Sequence, residues 1–125
     1  MKKELILTKD GSHSLFVPEL NENYHSVHGS IEEALHVFIM NGIHSHPKKN
    51  INILEVGFGT GLNALLTLEN RKQTTVIYTA LEPYPVIEDI YTKLNFFERI
   101  HSERDTFLKL HNSDWEQALE INEKF

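Results

Sequence analysis

Three glycines follow a short apolar run near the middle of the chain, where residues 55–63 read E-V-G-F-G-T-G-L-N. Ile51, Ile53 and Leu54 precede them as a buried strand would, and leucines at helical spacing come after them. The glycines are therefore expected on a turn from a strand into a helix. Glycine suits such a turn because it adopts positive φ at little cost and lets a ligand approach the backbone. The start of the helix offers unpaired N–H groups to that ligand.

The spacing of the glycines distinguishes between two classes of ligand. A dinucleotide fold places its third glycine one position later, as G-x-G-x-x-G, where this chain has Leu62. With Glu55 two residues before the first glycine, the pattern E-x-G-x-G-x-G resembles the first motif of class I S-adenosylmethionine (SAM) methyltransferases. SAM carries a cationic sulfonium and an ammonium group, and both suit a nearby carboxylate. The alternative is a corner without a ligand, which the glycines disfavour because they cost conformational entropy.

A second acid stands where a nucleoside-binding fold would use it. Residues 76–81 are β-branched and aromatic, as in a buried parallel strand, and Glu82 and Pro83 follow directly. Glu82 lies about twenty residues beyond the turn, where such folds place an acid that accepts hydrogen bonds from the ribose hydroxyls. The alternative is a solvated loop acid, and the glycine turn upstream favours the ribose-binding interpretation.

Histidine is the other residue type that suggests chemistry. Eight are present, and the closest pairs are His25 with His28 and His44 with His46. Neither pair has an acid placed to complete a metal site, so we expect mostly surface histidines and no bound metal. The polar and aromatic segment Tyr24–Gly29 precedes a predicted helix. It is either a plain loop that covers the sheet or a lid over the cofactor.

The composition bounds the class of protein. A length of 125 residues allows one domain, and 40 % hydrophobic with 24 % charged residues is ordinary for a globular protein. No apolar run reaches the length of about eighteen residues that a membrane span needs, and no signal-peptide core follows the first residues. With no cysteine, disulfides and zinc–thiolate sites are excluded, and we expect a cytoplasmic protein with no membrane partner. A net charge of −6 gives no general attraction to nucleic acid.

The first third of the chain supplies elements that precede the turn. Leu5–Thr8 and His13–Val17 alternate in strand fashion around Asp10-Gly11, which predicts a β-hairpin. A polar loop is expected over residues 18–23. The pattern Ser30-x-x-Glu33 is a capping box that predicts a helix start, and Asn41-Gly42 is expected to end that helix.

Helices are expected after both predicted parallel strands. One runs from the glycine turn to Asn70, and Pro85 suits the first residue of another. Residues 96–110 are expected to be helical and partly broken. A second capping box, Ser113-x-x-Glu116, predicts a last helix that carries Trp115.

Four motifs, in this order, resemble one family: D-G-S from Asp10, Y-H-S-x-H-G from Tyr24, E-E-A-x-H-V-F from Glu32, and G-F-G-T-G-L-N from Gly57. The family is the SAM-dependent tRNA methyltransferase that completes 5-methylaminomethyl-2-thiouridine at the wobble position. In some bacteria its domain is fused to an FAD-dependent oxidase. The resemblance extends from about Asp10 to Trp115, and the last motif is its most specific part.

The resemblance implies SAM as the cofactor and tRNA, at its wobble uridine, as the partner. Glu55 and the glycine turn would hold the methionine end of SAM, Glu82 would hold the ribose, and Tyr24 would line the cofactor pocket. The full set of expected cofactor-binding residues is Tyr24, Glu55, Gly57, Phe58, Gly59, Thr60, Gly61, Asn63, Glu82 and Pro83. The catalytic residue is unknown, because the family's adenine-binding acid and its Asp-x-Phe-x-Pro segment do not occur in this chain.

The fold expected from the resemblance is α/β, a class I SAM-methyltransferase (Rossmann-like) domain with an N-terminal β-hairpin. Only two of its parallel strands are found here, so we expect a truncated domain over residues 1–125. Residues 1–29 would form the hairpin and lid loop, and residues 30–125 the start of the core. Such a fragment is expected to be inactive alone and prone to oligomerise. The alternatives are a class I SAM methyltransferase with another substrate, and a non-catalytic SAM- or nucleoside-binding module.

Overall fold

The computed structural model describes every residue from Met1 to Phe125. An antiparallel sheet is formed by β1 (Glu4–Leu7), β2 (His13–Val17) and β3 (Glu22–Asn23), and a parallel pair by β4 (Asn50–Val56) and β5 (Thr75–Leu81). The helices are α1 (Ser30–Ala34), α2 (Leu62–Asn70), α3 (Glu88–Tyr91), α4 (Phe96–Arg99) and α5 (Arg104–Asn112). Helix α1 continues as a π-helical segment, Leu35–Met40, and a 3₁₀ turn, Ile43–Ser45, precedes β4. The chain is a mixed α/β protein.

The N-terminal hairpin is formed as predicted. Strands β1 and β2 pair antiparallel, with Leu5 opposite Leu15, and Gly11 adopts a φ of +84° in the turn between them. The prediction of a loop throughout residues 18–23 was wrong, because β3 lies within it and pairs Glu22 with Val17. Both side chains of β3 are exposed, so this strand is held by backbone pairing that no hydrophobic alternation signals.

The start of α1 differs from the predicted capping box. The helix begins at Ser30, but the Ser30 hydroxyl donates to the His13 carbonyl at 2.8 Å and does not cap the helix. The Asp10 carboxylate of the hairpin takes that place, since its Oδ2 accepts from the Glu32 backbone N–H at 3.0 Å. A carboxylate at a helix N-terminus satisfies an otherwise unpaired donor and opposes the positive end of the helix dipole.

Two other predicted helix starts were wrong, and one broken helix is confirmed. Helix α3 begins at Glu88, so Pro85 lies outside it. No helix follows Ser113, because Glu116 has a φ of +65°, which is incompatible with a first helical turn. The stretch over residues 96–110 divides into α4 and α5, and His101 interrupts it with a φ of +57°.

The parallel pair β4–β5 is confirmed and places the glycine turn. Its register sets Ile53 opposite Tyr78 and Val56 opposite Leu81, so both strands end at the same edge. The inward-facing side chains of the pair share one buried cluster with α2 and the C-terminal helices. The largest fully buried hydrophobic residues of that cluster are Phe96, Phe107, Leu15, Ile39, Leu62, Leu65, Leu66 and Leu94.

The prediction that both parallel strands are buried was wrong for one face, because no element covers the opposite side of the pair. Leu54 and Val56 of β4 are 63 % and 79 % exposed, and Ile77 and Leu81 of β5 are 65 % and 53 % exposed. The outer edge of β5 is partly covered, since the Val76 N–H donates to the Lys124 carbonyl at 2.8 Å. Strand β4 pairs with β5 alone. None of the helices combines the length and the apolar character that crossing a membrane requires.

Candidate cofactor-binding site

The glycine turn joins the end of β4 to the start of α2. Gly57, Gly59 and Gly61 adopt φ values of +88°, +56° and +76°, a region that favours glycine over every other residue. A Cβ on Gly57 would have no atom of the chain within 4 Å, so this glycine leaves the backbone open to a ligand. A Cβ on Gly59 would lie 3.2 Å from the Tyr24 ring, and a Cβ on Gly61 would lie 2.8 Å from His111 Nε2.

Glu55 and Asn63 meet beside the turn. The Asn63 side-chain amide donates to Glu55 Oε2 at 2.8 Å. Glu55 Oε1 and Asn63 Oδ1 are buried and have no hydrogen-bond partner. Burial raises the pKa of Glu55, with the nearby charge of Glu82 adding to the effect, while the Asn63 amide and the Tyr78 hydroxyl oppose it.

These two unpartnered oxygens belong to residues that line a groove. It has a volume of about 560 Å³, and Gly57 and Tyr78 line it together with apolar residues of β4. Buried acceptors without partners are rare, and a ligand that donates hydrogen bonds would satisfy them. A cationic donor such as an ammonium group fits this pair best, because it would also stabilise the Glu55 carboxylate.

Glu82 stands at the end of β5 and contacts the glycine turn directly. Its Oε2 accepts from the Gly59 N–H at 2.9 Å, and its Oε1 accepts from the Tyr84 N–H at 2.9 Å. Each carboxylate oxygen has two lone pairs, so Glu82 retains acceptor capacity for the hydroxyls of a ligand. Pro83, which follows it, is exposed.

Tyr24 covers one side of the turn. Its ring lies against Gly59, and the Lys3 ammonium lies 5.8 Å from the centre of that ring. Lys3 also donates to the Tyr84 carbonyl at 3.2 Å. Lys3, which directly precedes β1, and Tyr24 therefore meet at the side of the turn where Glu82 lies.

Two histidines that the sequence did not single out for the turn contact Thr60. His25 Nε2 lies 2.6 Å from the Thr60 hydroxyl, and His111 Nε2 lies 2.9 Å from the Thr60 carbonyl oxygen. The Phe58 ring also faces His111, with the ring centres 5.2 Å apart. Neither contact has a local sequence signal, because both histidines are far from the turn along the chain.

The predicted site residues converge on one edge of the parallel pair. Tyr24, Asn63 and Glu82 approach the turn from three different parts of the chain. The Phe58 ring packs against Trp115, 6.0 Å between centres, so part of the segment after α5 lies near the turn. No group of three or more histidine, aspartate or glutamate side chains is arranged to hold a metal ion.

A parallel strand pair, a glycine turn that leads into a helix, and an acid at the end of the second strand define a mixed α/β protein with a candidate nucleoside-binding site. No model of a known protein family matches the chain. Individual proteins do, and they identify its relatives.

The chain is similar to proteins called tRNA 5-methylaminomethyl-2-thiouridine biosynthesis bifunctional protein MnmC. The Campylobacter jejuni protein is 29 % identical in an alignment of 122 positions that covers 89 % of this chain and 19 % of the relative. The Leptospira interrogans protein is 32 % identical in an alignment of 101 positions that covers 72 % of this chain and 16 % of the relative. The crystal structure of MNMC2 from Aquifex aeolicus matches with a TM-score of 0.59 at 27 % identity, covering 93 % of this chain and 39 % of that one.

These matches confirm the family resemblance that the motif order predicted, and they are consistent with a fragment of the MnmC methyltransferase domain. The chain spans about a fifth of the length of the curated relatives it matches, 19 % and 16 % in the two cases.

Proposed function

We propose that this chain binds SAM at its glycine turn and forms the cofactor-binding part of a class I, Rossmann-like methyltransferase domain. The complete domain would methylate the aminomethyl group of the modified wobble uridine in tRNA. The names of the relatives support a role in tRNA modification, and we propose the cytoplasm as the site of that role. The groove beside the glycine turn supports SAM.

One observation carries the cofactor proposal. Glu55 Oε1 and Asn63 Oδ1 are buried acceptors without partners, next to the one glycine of the turn that is open to a ligand. The ammonium group of SAM is a donor of matching charge. A neutral corner would leave both acceptors unsatisfied, at a cost of about 1–3 kcal/mol for each.

The other residues would take the remaining parts of SAM. Glu82 would accept hydrogen bonds from the ribose hydroxyls, and the backbone of Gly57 would approach the methionine end. Tyr24 would close one side of the pocket. When bound, SAM supplies a methyl group activated for transfer to an amine. The residues of this chain would bind and orient it and exclude water from one side.

A second candidate is a SAM- or nucleoside-binding module without catalysis. The observation that favours it is the absence of an Asp-x-Phe-x-Pro motif between Met1 and Phe125. Both candidates require the same cofactor site, and they differ only in methyl transfer.

Titration of the isotope-labelled chain with S-adenosylhomocysteine, followed by amide NMR, tests the cofactor site because it detects even millimolar affinity. We expect saturable shifts confined to Tyr24, residues 55–63 and residues 82–84. Adenosine should shift the second group more than the first, and methionine the first more than the second. NAD⁺ is the matched control. Equal shifts with NAD⁺, or none with S-adenosylhomocysteine, would contradict the proposal.

A further inference from the structure

Thr60, the third residue between the first and last glycine of the turn, is bonded at two of its atoms by histidines from opposite ends of the chain. His25 belongs to the segment before α1, and His111 belongs to α5. They are 35 and 51 residues away from Thr60 along the sequence. Thr60 itself is 1 % exposed, so neither bond is a surface contact.

The His111 bond fixes the protonation of that imidazole. A carbonyl oxygen only accepts, so Nε2 of His111 must carry the hydrogen that is donated to Thr60. The ring stacks on Tyr91, 4.6 Å between centres, and lies edge-on to Phe107 at 4.8 Å. This burial lowers the pKa of His111 to about 4, although the bond to the Thr60 carbonyl works in the opposite direction. The imidazole is therefore neutral at physiological pH.

Gly61 makes this contact sterically possible. A Cβ at that position would lie 2.8 Å from His111 Nε2, so any larger residue would push the imidazole away from the carbonyl. The last glycine of the turn thus serves a contact within the protein, in contrast to Gly57.

His25 holds the other side of the same residue. Its ring lies edge-on to Phe96, 6.1 Å between centres, and its backbone N–H donates to the Ser14 hydroxyl at 3.1 Å. Burial lowers its pKa, and the charge of Glu33 opposes this effect. The backbone of His25 is thus held by β2, and its ring is held by α4, in the position that contacts Thr60.

We propose that His25 and His111 are positioning residues, which together hold the glycine turn in its ligand-binding conformation through the hydroxyl and the carbonyl of Thr60. Ligand binding in this role rests on the function proposed above, whereas the ordering of the turn does not. The two contacts join the segment before α1 and helix α5 to the turn. A displacement of either element would therefore move Thr60 and alter the ligand site.

Amide hydrogen exchange of the full chain, measured by NMR, tests the ordering directly. His111→Leu removes the donor, and His111→Gln keeps an N–H at similar reach. Thr60→Val removes the hydroxyl with its shape kept, and Thr60→Ser retains it. We expect His111→Leu and Thr60→Val to raise the exchange rates of Gly59 and Gly61 about three- to tenfold, the effect of one net hydrogen bond. The rates in His111→Gln and Thr60→Ser should stay near those of the original chain.

Two further measurements keep the outcomes distinct. Exchange at Leu66, buried in α2, reports global opening, so the ratio of Gly61 to Leu66 exchange isolates loosening of the turn. His36→Leu changes an exposed histidine and should leave this ratio unchanged. If the ratio is also unchanged in His111→Leu and Thr60→Val, the proposal is overturned. Since Thr60→Val leaves α5 untouched, failure of the His111 variant to fold would not remove the test.

Titration of the same variants with S-adenosylhomocysteine tests the link to the ligand site. We expect affinity to fall in the variants whose exchange ratio rises, and to return to the original value in His111→Gln and Thr60→Ser. If the original chain shows no shifts with this ligand, the proposed function fails while the exchange result still decides the positioning role. If affinity is unaffected although the turn loosens, the claim of a ligand-binding conformation is overturned.

Discussion

The Gly59 N–H donates to Glu82 Oε2 at 2.9 Å, so the acid at the end of β5 is bonded to the turn at the end of β4. A second bond, from the Gly57 N–H to the Leu81 carbonyl at 2.7 Å, extends the parallel pairing into the turn. These two bonds join the ends of β4 and β5. Glu55 and Glu82, the two acids expected to bind SAM, therefore lie at the same edge of the parallel pair. Preorganisation of this kind reduces the entropy that a ligand loses on binding.

Glu82→Ala should weaken S-adenosylhomocysteine binding by about ten- to a hundredfold, because a hydrogen bond to a charged acceptor contributes about 1.5–3 kcal/mol. The loss includes the bond to Gly59, so the turn itself should loosen. Amide NMR titration measures both. Methionine lacks the ribose and should lose much less affinity; an equal loss for methionine would show that Glu82 is not the ribose acid.

Glu55→Gln should separate binding from stability. Burial raises the pKa of Glu55 in the folded state, so the folded state binds a proton more readily than the unfolded state does. Stability is therefore highest at low pH and falls as the pH rises through the raised pKa. Glutamine does not ionise, so the variant does not lose stability in this way as the pH rises. Urea unfolding at several pH values should show that Glu55→Gln is at least as stable as the original chain at neutral pH.

The same variant should bind S-adenosylhomocysteine about tenfold or more weakly, since a charge-assisted hydrogen bond becomes neutral. Asp89→Asn, an exposed acid outside the site, is the control. A Glu55→Gln protein that binds as tightly as the original would contradict the ammonium-binding role.

The strand, turn and helix around residues 51–70 and the acid Glu82 follow from local patterns, and the structure has them where the sequence predicts them. Contacts across long separations do not follow. The bond between His111 and Thr60 joins residues 51 positions apart, and the cap of α1 comes from Asp10, 22 positions before Glu32. The failed capping box at Ser30 has the same origin, because its hydroxyl finds a partner in the hairpin.

Asp10→Asn should lower the free energy of unfolding by about 1–2 kcal/mol at neutral pH, because the amide has one acceptor oxygen while the carboxylate accepts from Ser12 with Oδ1 and from Glu32 with Oδ2. Burial alone would raise the pKa of Asp10, but hydrogen bonds from Ser12, Glu32 and Thr8 lower it below its usual 3.8. Its stabilisation is thus present above the unfolded pKa and is lost as the pH falls through the lowered folded value.

Urea unfolding of Asp10→Asn at neutral and acidic pH measures this difference, with the exposed Asp114→Asn as control. The difference in free energy of unfolding between the original chain and Asp10→Asn should become smaller below a pH of about 4. If this difference does not change with pH, the charge of Asp10 contributes nothing to the cap.

The chain should self-associate through the exposed face and open edge of β4. Leu54 and Val56 present apolar side chains at 63 % and 79 % exposure, and an unpaired strand edge is a template for another copy. Ile77→Lys with Leu54→Lys should shift the chain toward the monomer in sedimentation velocity. Leu7→Lys, an equally exposed leucine on β1 at 68 %, should not. A monomer at all concentrations would contradict this prediction.

The 125-residue chain should not transfer methyl groups to tRNA by itself. Glu55 and Glu82 would hold SAM by its methionine and ribose, but the Asp-x-Phe-x-Pro segment that the family uses on the substrate side has no match in this chain. Preorganised electrostatics is often the largest catalytic contribution, and here it would be missing on the substrate side.

The test is incubation with labelled SAM and tRNA that bears the 5-aminomethyl group. A positive control joins Phe125 to a relative's segment that contains Asp-x-Phe-x-Pro. Transfer by the chain alone at a rate near that of the control would place the catalytic residues within these 125 positions, and the prediction that the catalytic residues lie outside them would have to be abandoned.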